Sequence, residues 1–140
     1  MLFVLLVSVS HWWVAYEFGT DEGINLMKGA LVANGFSLYS DIWSDQPPVL
    51  TFFLAGLEWV FPHSVTAARA VMLGFSGLLL WSLFRIVFRL EGRAIAWLAV
   101  AALAAIASFQ ALSVKVMVGL PAVALAVAAL DQVLLGASDR

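Results

Sequence analysis

Asp21 and Glu22 stand side by side at the head of a segment with helical spacing. Asp41 and Asp45 follow before the paired prolines Pro47-Pro48. With Glu17, five of the chain's nine carboxylates fall within residues 17–48, in a sequence that is otherwise almost all hydrocarbon. A carboxylate held at a membrane surface can take a proton from a hydroxyl or amine. The free N–H groups at a helix start offer an anion site beside it. The plain structural reading competes: Asp21 caps the helix, and Glu22 complements its dipole. A departing anion would also need a cation. Lys28, Arg69 and Lys115 are the basic residues available near this loop, and Lys115 is the best placed, on a short turn between two apolar stretches. Its alternative role is a lysine snorkelling to the interface. His11 and His63 have no metal-ligand spacing and read as isolated interfacial residues.

The elements that must position these groups are membrane helices. The chain is 64% hydrophobic and 11% charged, with mean hydropathy +1.01. A soluble core of 140 residues has no use for so much apolar surface, so the solvent is a bilayer. The net charge of −2 gives no reason to expect nucleic acid as a partner. The absence of Cys excludes disulfides, thiolate metal sites and Cys nucleophiles.

Spans are expected at about residues 1–16, 65–88, 94–110 and 116–135. The first lacks the basic start and small-residue cleavage site of a signal peptide, and His11-Trp12-Trp13 reads as an interfacial anchor. Residues 17–48 form an outer loop. Residues 49–62, bounded by prolines and carrying Glu58, suit a re-entrant or interfacial helix better than a crossing. Arg85, Arg89 and Arg93 make the strongest positive cluster, which places their loop in the cytoplasm. The acidic loop and Lys115 then face outside, and the natural location is the plasma (inner) membrane. The Ala-rich stretch after Arg93, with Gly74 and Gly77, suggests close helix packing.

Within the outer loop a helix is expected over residues 22–34, lying on the membrane. Ile24, Leu26, Met27, Ala30, Leu31 and Ala33 form its apolar half, and Glu22, Asn25, Lys28 and Gly29 its polar half. Thr20 or Asp21 would cap its start, and Asn34-Gly35 would stop it in a left-handed turn. Trp43 would anchor the rest of the loop, and Pro47-Pro48 would start the next helix.

The ordered set Asp21-Glu22-Gly23, Asn34-Gly35 with Leu38-Tyr39-Ser40-Asp41, Asp45-Gln46-Pro47-Pro48 and Ala67-Ala68-Arg69 resembles the amino-terminal part of GT-C membrane glycosyltransferases. The resemblance is to glycosyltransferase family 39, the relatives of protein O-mannosyltransferase and lipid A aminoarabinose transferase. It implies an all-α multi-pass bundle whose first outer loop carries interfacial helices. It also implies transfer of a sugar from a polyprenyl-phosphate donor to a protein or lipid acceptor at the outer face. Asp21 matches the base of the family's Asp-Glu pair, Glu22 its partner, and Asp45-Gln46 the polar residues near the donor phosphate or a metal; Arg69 opens the helix that follows. Many relatives carry an acidic residue on the turn occupied here by residues 113–121, where this chain has none. A divalent metal is therefore an open but disfavoured expectation. Relatives are several times longer, so the chain is expected to be an amino-terminal portion, which alone would not catalyse transfer. The rival expectation is a non-enzymatic membrane protein, a transporter fragment or assembly partner, whose acidic loop recruits a cation or a subunit.

Overall fold

The computed structural model describes residues 19–138. The expected first span and His11 lie outside them. Six helices follow in order: α1 (Thr20–Ala33), α2 (Pro48–Val60), α3 (Val65–Glu91), α4 (Arg93–Ala105), α5 (Ala107–Val114) and α6 (Gly119–Ser138). Among the described residues the one β contact is an isolated bridge between Leu38 and Ile42.

Among the described residues two helices are each long and apolar enough to cross a bilayer, α3 and the Gly119–Gly136 part of α6. α3 starts where Ser64 accepts the Ala67 N–H at 3.1 Å, an N-cap, and ends at Gly92, whose φ of 88° closes the helix. Its contacts with α6 and with the residues just before α6 advance in the same direction along both. Arg69 and Met72 lie near Val116, Leu80 packs with Ala124, and Arg89 meets Asp131. The two helices therefore run in the same sense, and the chain between them returns to the level at which α3 began.

That return differs from the straight span expected over 94–110. α4 and α5 meet at Ile106, whose backbone is extended, and their axes bend by 74°. The stretch contains neither Gly nor Pro, so nothing in it announces the break. The groups freed by the bend find partners. Gln110 donates its side-chain amide to the Ala104 carbonyl at 2.8 Å, and the Ile106 N–H reaches the Leu103 carbonyl at 3.2 Å. A break at membrane depth is tolerated where its backbone groups are satisfied in this way.

α1 and α2 pack on one another before α3 begins. Gly29 makes this possible: a Cβ there would lie 2.7 Å from Leu54 Cβ. Trp59 donates its indole N–H to the Ala33 carbonyl at 3.2 Å. α2 has 13 residues, about 20 Å at helical rise, too short to cross about 30 Å of hydrocarbon. Pro48 sits in its first turn, as expected.

Three expectations, one about capping and two about packing, are overturned. α1 begins earlier than expected and its N-cap is Gly19, with no side-chain cap bond, although Gly35 (φ 94°) ends it as foreseen. Its polar half also turns inward. Glu22, Asn25, Lys28 and Gly29 are buried, whereas Met27 is 59% exposed. The physical reason is that these polar groups find partners inside the protein, which offsets the cost of burying them. Among the described residues Gly74 and Gly77 do not mark a close contact with another helix, since no atom of one lies within 4 Å of a Cβ built at either.

Candidate functional site

The first turn of α1 carries Asp21 and Glu22 one residue apart, about 100° around the helix axis, and the fold treats them oppositely. Glu22 is 1% exposed. Arg69, in the second turn of α3, grips it with both arms of the guanidinium: Nε donates to Oε1 at 2.9 Å and Nη2 to Oε2 at 2.8 Å. The Val116 N–H points at the same Oε1 at 3.4 Å, and Asn25 returns a bond from its side-chain amide to the Val116 carbonyl at 3.0 Å. Three separate parts of the chain are knotted there: the start of α1, the start of α3 and the connection between α5 and α6. Asp21 is exposed and forms no ion pair among the described residues.

Nearly two helical turns beyond Glu22, Lys28 organises the loop between α1 and α2. Its side chain is 6% exposed, and Nζ donates to Ser44 Oγ at 3.2 Å. The Asp45 carboxylate lies 3.7 Å away, and the Trp43 ring centroid 5.7 Å away on the solvent side. The loop is tightened by its own bonds. Asp41 Oδ2 accepts the Ser37 N–H at 2.8 Å, and the Tyr39 hydroxyl donates to the Gln46 carbonyl at 2.9 Å. Tyr39 takes a left-handed φ of 76° to do so. The loop therefore has a shape, and Lys28 is its buried post.

The structure thus brings together two pairs among the residues singled out from sequence. Glu22 and Arg69 pair directly, so the guanidinium that was a candidate for substrate is engaged by a carboxylate. Asp45 and Gln46 lie in the loop around Lys28, with Asp45 largely exposed. Lys115 is half-buried and makes no ion pair among the described residues. Its neighbour Val116 is tied to both Glu22 and Asn25, so the Lys115 backbone stands beside the same knot.

Asn25 was missed as a participant, and Lys28 and His63 have roles other than those expected. Asn25 and Lys28 follow Glu22 at intervals of three, a polar stripe at helical spacing that the fold turns inward. His63 is not isolated. Its Nδ1 lies 2.6 Å from Glu58 Oε1, which also accepts the His63 backbone N–H at 2.9 Å, with His63 at φ 55°. Glu58 and His63 edge a cleft of 270 Å³ floored by Leu26, Met27 and Ala30 of α1. Among the described residues no three His, Asp or Glu side chains converge in a metal-binding group.

Compared with protein-family models, with curated proteins and with solved structures, the chain shows no match. The functional reading therefore rests on the residues and their geometry. At the opposite end of α3, Asp131 of α6 is 1% exposed between Arg85 and Arg89. Arg69 and Arg89 are separated by about 20 residues of α3, or about 30 Å, which is the thickness of the hydrocarbon layer. One ionic cluster thus marks each end of the helix pair.

Proposed function

We propose that the chain belongs to a membrane glycosyltransferase that moves a sugar from a polyprenyl-phosphate donor to a protein or lipid acceptor, with Asp21 as base. The observation that carries this reading is the division of labour between adjacent carboxylates. Glu22 is locked in a buried bidentate pair with Arg69, so the turn that bears Asp21 has a fixed backbone while Asp21 itself faces outward.

The chemistry needs a fixed, accessible carboxylate. The acceptor's oxygen or nitrogen attacks the anomeric carbon from the face opposite the phosphate. Its proton passes to an Asp21 carboxylate oxygen, and the bond from the anomeric carbon to the phosphate oxygen breaks. Polyprenyl phosphate leaves with that electron pair, and the sugar carbon inverts. Holding the base by its backbone rather than through a hydrogen bond to its carboxylate leaves the oxygens available for the acceptor. Lys115 stands beside the same knot and supplies a positive charge for the departing phosphate. Asp45 and Gln46, on the strapped loop around Lys28, supply polar contacts to the donor.

The test uses membranes from cells making the protein as it occurs naturally. These are given radiolabelled polyprenyl-phosphate hexoses and pentoses in turn, and label transferred to protein and to lipid is counted. One donor is expected to be consumed by wild type and spared by Asp21→Asn. No consumption of any donor by wild type, or equal consumption by the variant, would overturn the reading. The non-enzymatic alternative predicts the first of those outcomes.

A further inference from the structure

The far end of the α3–α6 pair holds more positive charge than it neutralises. Asp131 offers one carboxylate to two guanidiniums: Arg89 Nη1 at 2.8 Å from Oδ1, and Arg85 Nε at 3.3 Å from Oδ2. Arg89 Nη1 also donates to the Asp131 carbonyl at 3.2 Å. Each guanidinium has five N–H donors, and the two guanidiniums share the single Asp131 carboxylate, so together they carry more donor capacity than Asp131 can accept. Both side chains stay partly open, 29% exposed for Arg85 and 25% for Arg89. The cluster has a formal charge of +1 among the described residues, and the next two charged residues, Glu91 and Arg93, cancel. An unmatched guanidinium beside hydrocarbon is costly unless an anion meets it.

A second feature lies on the adjoining stripe of α3. Phe84 and Phe88 precede Arg85 and Arg89 by one residue each, and their rings stack with centroids 5.9 Å apart. Trp97 of α4 packs on Phe84 at 4.9 Å, and Trp81 stacks at 6.4 Å one turn earlier. Trp81, Phe88 and Trp97 are each about half exposed. Aromatic rings at this level are where a membrane interface is expected. Two guanidiniums, each next in sequence to a ring of a partly exposed aromatic strip, complement the two halves of an anionic amphiphile. An inorganic anion would use only the first.

We propose that Arg85 and Arg89, braced by Asp131, bind the phosphodiester headgroup of an anionic phospholipid, one acyl chain of which lies along the Phe84, Phe88 and Trp97 rings. Asp131 keeps the guanidiniums from snorkelling into water and sets their spacing. The lipid phosphate supplies the missing negative charge. This site is independent of the sugar-transfer reading and sits at the opposite end of the helices from Asp21.

The test is native mass spectrometry of the delipidated full chain, offered phosphatidylglycerol and phosphatidylcholine with the same acyl chains in equal amounts. A third arm offers glycerol 3-phosphate as the headgroup without its chains. Wild type is expected to retain phosphatidylglycerol selectively. Arg89→Gln is expected to lose roughly fivefold of that selectivity, the effect of one cation near a membrane surface. Arg93→Gln, which alters a charge outside the cluster, is expected to keep it. Equal retention of the two lipids by wild type overturns the proposal. So does an equal loss in Arg93→Gln, which would mean a diffuse attraction, or displacement of phosphatidylglycerol by glycerol 3-phosphate at similar concentration. Should Arg89→Gln fail to fold, the wild-type comparison and the glycerol 3-phosphate arm decide alone.

Discussion

Glu22 and Arg69 stand 47 positions apart in the chain and meet in a bidentate pair, at 2.8 and 2.9 Å, with almost no solvent access. The pair makes the segment that holds α1 part of the helix bundle rather than an appendage to it. Removing one partner from a buried ion pair strands the other charge, at a cost of about 3–5 kcal/mol. Glu22→Gln and Arg69→Gln should each lower the melting temperature in detergent markedly. The double exchange Glu22→Arg with Arg69→Glu should recover part of the loss, since it restores a pair of the same kind. Unchanged melting in both single variants would show that the pair contributes nothing.

Asp21, one position earlier, should behave in the opposite way. It is exposed, so Asp21→Asn is expected to change stability by no more than about 0.5 kcal/mol, the usual range for a surface substitution. If it is the base, transfer from the lipid donor should fall by about 10²- to 10⁴-fold. Melting and transfer are to be measured on the same preparation. A parallel loss of both would reduce Asp21 to a structural residue.

Lys28 is the interior support of the loop, through Ser44, Asp45 and the Trp43 ring. Lys28→Met keeps the buried stem and removes the ammonium. Asp45 is mostly in solvent, so its share is small. The lost bond to Ser44 and the lost cation–π contact should ease local opening by about 1 kcal/mol, or roughly fivefold faster amide exchange over residues 37–46. Exchange at the rate of the wild type would mean that Tyr39 and Asp41 hold the loop unaided.

Some of this architecture was legible from residue types. The 65–88 and 116–135 stretches declared themselves as long apolar helices, Pro48 as a helix start, and Gly35 as a stop. These are local signals, set by backbone sterics and the transfer of side chains to lipid. The break at Ile106 was not legible, because the Ala-rich run around it has ordinary helix formers and the bend is decided by packing and by the Gln110 amide. The inward polar face of α1 was misjudged for a related reason. The sorting of Glu22, Asn25 and Lys28 onto one side was correct, but which side meets solvent depends on partners at Arg69, Ser44 and Val116. Pairings across such separations leave no periodic trace. Glu58 and His63, five positions apart around a turn, were close enough to have been suspected.

Gly29 tests the contact between α1 and α2. A Cβ there would sit 2.7 Å from Leu54 Cβ and 3.3 Å from the Leu54 carbonyl carbon, which is backbone and cannot rotate away. Gly29→Ala should therefore cost about 1–3 kcal/mol, against the gain usual for Gly→Ala within a helix. Gly74→Ala, with open space around it, should be neutral or stabilise by up to about 1 kcal/mol. Equal effects at the two positions would mean that the helices can separate without penalty.

The shared direction of α3 and α6 gives the sharpest test of topology, and the chain's lack of cysteine makes it practical. Single cysteines at Ser44, Gly92 and Lys115 can each be probed in intact cells with a maleimide that does not cross membranes. The Glu22–Val116 contact puts Lys115 on the side of α1, while Arg89 and Asp131 lie about 30 Å away at the other end. Ser44→Cys and Lys115→Cys should therefore label together, and Gly92→Cys only after the cells are opened. If α4 and α5 instead formed a re-entrant loop, Lys115→Cys would share the behaviour of Gly92→Cys. The knot of Glu22, Arg69 and Val116 would then have to join opposite faces of the bilayer, which no side chain can span.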